Sequence, residues 1–112
     1  MIAFDKISIG DIGISSITLA ELNYGIQKSS NPIKNEKALE NFLLPLEILN
    51  FDFSATISYG LIRADLEKKG MPIGSLDTLI AAHAKSKKLT LVTNNEKEFI
   101  RVSDLKVENW TK

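Results

Sequence analysis

The chain has 112 residues, enough for one domain with one modest core and too few for two. Its 14 Lys plus Arg balance 14 Asp plus Glu, so no overall basic field argues for broad nucleic-acid binding, although a local patch stays open. Cysteine is absent, which excludes disulfides, zinc–thiolate sites and thiol catalysis; with no apolar run of bilayer length and no basic-then-apolar leader, the sequence reads as soluble and cytoplasmic.

The first clear element is "IGISSI", Ile12 to Ile17, short, apolar and β-branched, which predicts a strand. "TLAELNYGIQKS" follows with Leu19, Leu22 and Ile26 at helical spacing. "SSNP", Ser29 to Pro32, breaks the chain. "NEKALENFLL" predicts a second helix with Leu39, Phe42 and Leu43 on one face, stopped by Pro45. "LEILNF" predicts a strand with Leu46, Ile48 and Phe51 buried. Ser54 is a fitting N-cap for a helix from Ala55 to Lys69, whose stripe is Tyr59, Ile62 and Leu66; Gly70 stands where a left-handed C-terminal residue is expected. After the "MPIG" loop, Ser75 suits the cap of a helix from Leu76 to about Ser86. "LTLV" reads as a strand, "EKEFI" as a short helical turn and "LKVENW" as a last strand.

Strands that alternate with helices predict an α/β fold around a mainly parallel sheet. Right-handed crossovers place the carboxyl ends of such strands on one edge, where ligand sites gather. Three polar features fall there: the helix start after Ile17, the helix start at Leu76, and Thr93-Asn94-Asn95.

Each has two readings. Glu21 completes Thr18-Leu19-Ala20-Glu21, a capping-box pattern, or it is a metal-ligating carboxylate over the sheet edge. Asp77 follows a Ser cap and favours the helix dipole, or it is a second ligand, held by a helix whose face (Leu79, Ile80, Ala81, Ala82, Ala84) is apolar and small. Asn94, Asn95 and Glu98 make a polar turn, or supply one more oxygen. Oxygen donors at one edge suit Mg2+ or Mn2+, ions that assist phosphoryl transfer. His83, the only histidine, reads as a packing residue on an alanine-rich face, since one histidine without cysteine makes no zinc site. Arg63, Lys68 and Lys69, and likewise Lys85, Lys87 and Lys88, read as solvated faces or phosphate contacts. No Gly-rich phosphate loop, GxSxG or HExxH is present.

In combination, "ISSITLAELNYGIQKS", "PIGSLDTLIAAHAKSKKLTLVTNNEKEF" and "RVSDLKVENW" resemble the VapC group of PIN-domain proteins, the ribonuclease toxins of type II toxin–antitoxin systems, over nearly the whole chain from Gly10. The resemblance implies a three-layer α/β/α fold and a Mg2+- or Mn2+-dependent endoribonuclease. It also implies a homodimer and inhibition by a VapB-like antitoxin. Residue by residue, it makes Glu21 the second family acid and Asp77 the third. The fourth position falls in the Thr93–Phe99 turn, where Glu98 is the acidic member and Asn95 stands where many relatives place an Asp. Glu21, Asp77 and Glu98 are thus the implied metal ligands, with Asn95 beside them as a catalytic residue. The family's opening strand ends in L-D-T-N and supplies a first acid, and this chain has no such motif. "MIAFDKISIGDIGISSI" looks like the tail of the first family helix in an N-terminally truncated single PIN-like domain over residues 1–112, with Asp5 the one stand-in. A missing carboxylate implies weakened metal binding. The alternative is a PIN remnant without catalysis that serves as an antitoxin-binding or self-associating module.

Overall fold

A computed structural model describes residues 4–8 and 11–109, with side chains from residue 13 onward. The elements run β1 (Phe4–Ser8), β2 (Asp11–Ser15), α1 (Ser16–Lys28), α2 (Pro32–Leu43), β3 (Glu47–Leu49), α3 (Phe53–Lys68), α4 (Ser75–Ser86), β4 (Thr90–Val92), α5 (Glu96–Phe99) and β5 (Val107–Glu108). The α/β alternation expected from the sequence is present.

The strands form one sheet in the order β3-β2-β1-β4-β5. β2 pairs in parallel with β3, and β4 in parallel with β5. Between these pairs lies β1, antiparallel to both β2 and β4. Residues 4–8 are therefore a central strand and not the tail of a helix. Inside the sheet both edges of this strand's backbone find partners. Because β2 and β4 both oppose β1, they run parallel to each other. Their carboxyl ends, and with them the start of α1 and the turn after β4, share one edge.

Local chemistry sets the helix starts. Ser15, not Thr18, caps α1, its hydroxyl accepting from the Ile17 amide at 3.1 Å. Asn31 caps α2 with Pro32 in the first turn, where its missing N–H costs nothing. Asp52, not Ser54, caps α3, accepting from the Ala55 amide at 3.2 Å. Ser75 is the first residue of α4 and not its cap; Gly74 precedes the helix without a side-chain cap bond. Gly70 closes the α3 end at φ +70°, as expected. Gly13 lets β3 approach β2, since a Cβ there would meet the Glu47 carbonyl oxygen at 3.0 Å.

The core lies between α3, α4, β4 and α5: Ile62, Leu66, Ile80, Ala81, Ala82, Ala84, Leu91, Phe99 and Val102, with Tyr59 and Phe51 packed against it. Ile48, expected to be buried, is exposed, because β3 is an edge strand. Arg63 and Lys69 pair with Glu67 and Asp65 one helical turn away on the open face of α3, which is the solvated-face reading.

Phe99 has no exposure and its neighbour Ile100 is 77% exposed, so the pair gives a direct test of this core. Phe99→Ala is expected to lower unfolding stability by about 3–5 kcal/mol. Ile100→Ala should change it by less than about 0.5 kcal/mol. Urea unfolding of both variants measures the difference.

Candidate metal and catalytic site

Asp77 lies in the first turn of α4. That turn is anchored on Gly74, whose carbonyl oxygen accepts from the Thr78 amide at 2.9 Å and from the Thr78 hydroxyl at 2.8 Å. The opposite wall is the turn after β4. There the Thr93 hydroxyl accepts from the Asn95 amide at 3.0 Å, folding the chain back on itself. The Asn95 side chain is thereby aimed at α4, and its Nδ2 donates to Asp77 Oδ2 at 3.3 Å. Glu98, in the single turn of α5, completes the group and shares a side-chain hydrogen bond with Asp77.

The electrostatics of Asp77 are unusual for its position. A carboxylate at a helix start is normally stabilised by the dipole. Here its pKa is instead pushed up to about 6, first by burial, then by the hydrogen bond to Glu98 and by that group's charge. Two carboxyls in one half-buried site cannot both ionise cheaply, so the pair binds a proton more readily than a solvated carboxylate does. A cation would offset the same repulsion. Mg2+ is commonly held by one or two carboxylates together with waters and substrate phosphates, and the Asp77–Glu98 donor set fits that chemistry.

Glu21 is exposed, on the α1 that begins at the same edge. The capping-box explanation does not apply to it. Ser15 is the cap, and Thr18 is buried inside the helix. Among the described residues, no group of three or more His, Asp or Glu side chains is arranged to hold a metal ion. The structure therefore brings together Asp77, Asn95 and Glu98, and leaves Glu21 outside that cluster. The side chain of Asp5 lies outside the described residues.

His83 has no exposure, in accord with a packing histidine. It is not isolated, though: its Nδ1 lies 2.7 Å from the Ser15 hydroxyl. The sequence offered no signal for that contact. Lys87, taken as a solvated lysine, pairs with Asp52.

Comparison with known proteins agrees with this architecture. Residues 2–105 match the PIN domain family. The chain is 52% identical over 101 residues to ribonuclease VapC2 of Rickettsia felis, covering 90% of this chain and 75% of the relative. It is 44% identical over 102 residues to the tRNA(fMet)-specific endonuclease VapC of Shigella flexneri, covering 91% and 77%. Among solved structures it is similar to the VapBC2 complex of Rickettsia felis bound to a DNA fragment from its promoter. The TM-score is 0.85 at 51% identity, with 88% of this chain and 74% of that one covered.

The raised Asp77 carboxyl makes a stability prediction for the metal-free protein. Its proton favours folding below the ordinary carboxylate value of 3.8, and that contribution is lost as pH rises through about 6. Asp77→Asn mimics the protonated form. It should be no more stable than the parent near pH 4, and more stable at pH 8 by roughly 1 kcal/mol after discounting for solvent screening. Urea midpoints measured across that range, with chelator present, read the difference.

Proposed function

The chain belongs to the PIN-domain family and to its VapC ribonuclease group, and from that premise we propose that it is a metal-dependent endoribonuclease toxin whose site is centred on Asp77, Asn95 and Glu98, with Glu21 contributing from α1. The observation that carries this reading is the meeting of the Asp77 and Glu98 carboxyls, with the Asn95 amide donating to Asp77, at the carboxyl edge of β4. Such a pair is destabilising unless a cation or a proton neutralises it.

Mg2+ or Mn2+ held by Asp77 and Glu98 would supply Lewis-acid stabilisation of the charge that develops on a phosphodiester during hydrolysis. The chain's own residues prepare the place. Asn95 donates to one Asp77 oxygen and restrains the rotation of the carboxyl that faces Glu98. Thr93 holds Asn95. The half-buried setting keeps the carboxyls poorly solvated, which strengthens their attraction for a cation. Glu21, exposed on α1, would act on bound RNA or on the ion's solvent shell.

We propose further that a VapB-like antitoxin is the protein partner, as in the VapBC complexes similar to this chain. A homodimer is supported by the apolar stripe of α3, where Phe53, Ile57 and Leu61 recur every four residues and are 78%, 52% and 68% exposed. Among the described residues no helix is long and apolar enough to cross a membrane, and a cytoplasmic site of action fits a cysteine-free chain acting on RNA. A second reading, an antitoxin-binding module without catalysis, is favoured by one observation, the absence of a three-acid cluster among the described residues.

Incubation of the purified protein with a mixed RNA pool separates the two. Cleavage is expected with Mn2+ and not with EDTA. Asp77→Asn is expected to lower kcat/KM at least about 100-fold, the scale on which losing one charge-stabilising group acts. Equal cleavage by the parent and by Asp77→Asn contradicts the site assignment. No cleavage by the parent under any divalent ion supports the binding-module reading.

A further inference from the structure

The buried histidine has a role that neither packing nor metal binding explains. Ser15 is the last residue of β2 and the cap of α1. Its hydroxyl oxygen already accepts from the Ile17 amide. The hydroxyl proton is then free to donate to His83 Nδ1, which lies 2.7 Å away. This leaves the ring proton on Nε2. That nitrogen is buried. A second tie reinforces the first. The Phe51 amide donates to the Ser16 hydroxyl at 3.1 Å, and the Phe51 ring meets His83 edge-on, with centroids 5.5 Å apart and planes at 77°.

Helix α4 is thus pinned at three points along its length. Asp77 meets Asn95 after β4, His83 meets Ser15 at the start of α1, and Lys87 meets Asp52 at the start of α3. The middle point joins the two helices that carry Asp77 and Glu21. We infer that His83 is a positioning residue, which through the Ser15 cap holds the start of α1, and with it Glu21, in fixed register with Asp77 on α4. This inference rests on the nuclease reading only for its catalytic consequence; the mechanical tie is independent of it. Two charged groups act on the ring: Lys87 at the end of α4, which disfavours a charged imidazole, and Asp52 at the start of α3, which favours one. Burial, the largest influence, acts with Lys87 against the Asn50 backbone and Asp52 and holds the ring below its ordinary pKa, so the acceptor at Nδ1 persists at neutral pH.

The tie is tested with His83→Leu, His83→Asn, Ser15→Ala and the double variant Ser15→Ala/His83→Leu. Leu fills much of the ring's volume without an acceptor, whereas Asn keeps an oxygen near the place of Nδ1. Amide hydrogen exchange at Ile17 and at α1 residues up to Glu21 is the primary readout, with the α3 amide of Leu66 as the control for global unfolding. His83→Leu is expected to speed exchange in the first turns of α1 at least about 10-fold while Leu66 is unchanged. His83→Asn should return exchange to within about 3-fold of the parent, and Ser15→Ala, which also removes the cap bond from the Ile17 amide, should add less in the His83→Leu background than it does alone, as expected for two partners that share one contact. Cleavage is the second readout: His83→Leu lowers kcat about 10-fold with KM near the parent's, the mark of misplaced groups rather than lost binding. Leu and Asn variants that exchange alike at α1, or single losses that add, overturn the inference. Preserved exchange effects in a parent that cuts no RNA defeat the nuclease reading alone.

Discussion

Everything at the candidate site depends on helix α4 being unable to move. Its Ala81, Ala82 and Ala84 have no exposed surface. Small side chains let a helix backbone approach its neighbours closely, and close-packed interiors tolerate little displacement. α4 packs chiefly on α3, and also on α1 and β4. Such a helix is held by contact from Thr78 onward, and the carboxyl in its more open first turn is held by Asn95 as well. The apolar face that makes α4 look like an ordinary buried helix is the reason Asp77 can keep company with Glu98 instead of turning away from it.

That company opposes stability. A half-buried carboxyl beside another carboxyl loses hydration and meets repulsion, and both effects favour the protonated form. A sequence selected only for folding would place an amide or an apolar residue there. Local conflict at one place in an otherwise consistent structure is what functional sites commonly show. The surrounding bonds sharpen the point. Thr93, Asn95 and Gly74 spend their hydrogen bonds on shaping the turn and the helix start around Asp77, and the Asn95 amide presents a fixed donor to one carboxyl oxygen only. The arrangement holds the acidic pair in place and leaves its charge for something else to balance.

Much of this was legible in the sequence, for identifiable reasons. Alternating strand and helix patterns placed Asp77 and the Thr93–Glu98 turn on one edge, because edge position follows from connectivity. Gly70 was legible because a positive φ leaves a clear residue preference. The caps were less so. Thr18 through Glu21 has the capping-box pattern, but Ser15 takes the cap because β2 ends there, and Ser54 yields to Asp52 for the same kind of reason. A motif of local spacing cannot tell which of several adjacent hydroxyls and carboxylates stands at the break. Ile48 looked like core because alternation cannot distinguish an edge strand from a central one. Residues 4–8 were misread because their place depends on partners far along the chain, Ile12 to Ile14 on one side and Thr90 to Val92 on the other. The Ser15–His83 bond, spanning 68 positions, carries no sequence signal at all.

The central claim is that Asp77, Asn95 and Glu98 surround a cation site in this chain. The most direct measurement is a Mn2+ titration followed by paramagnetic broadening of assigned amide signals, which reports where the ion sits without reference to activity. Broadening should begin at Asp77, Asn95 and Glu98, extend next to the start of α1, and vanish in Asp77→Asn at the same Mn2+ concentration. Broadening that begins elsewhere, or that persists unchanged in Asp77→Asn, would contradict the account.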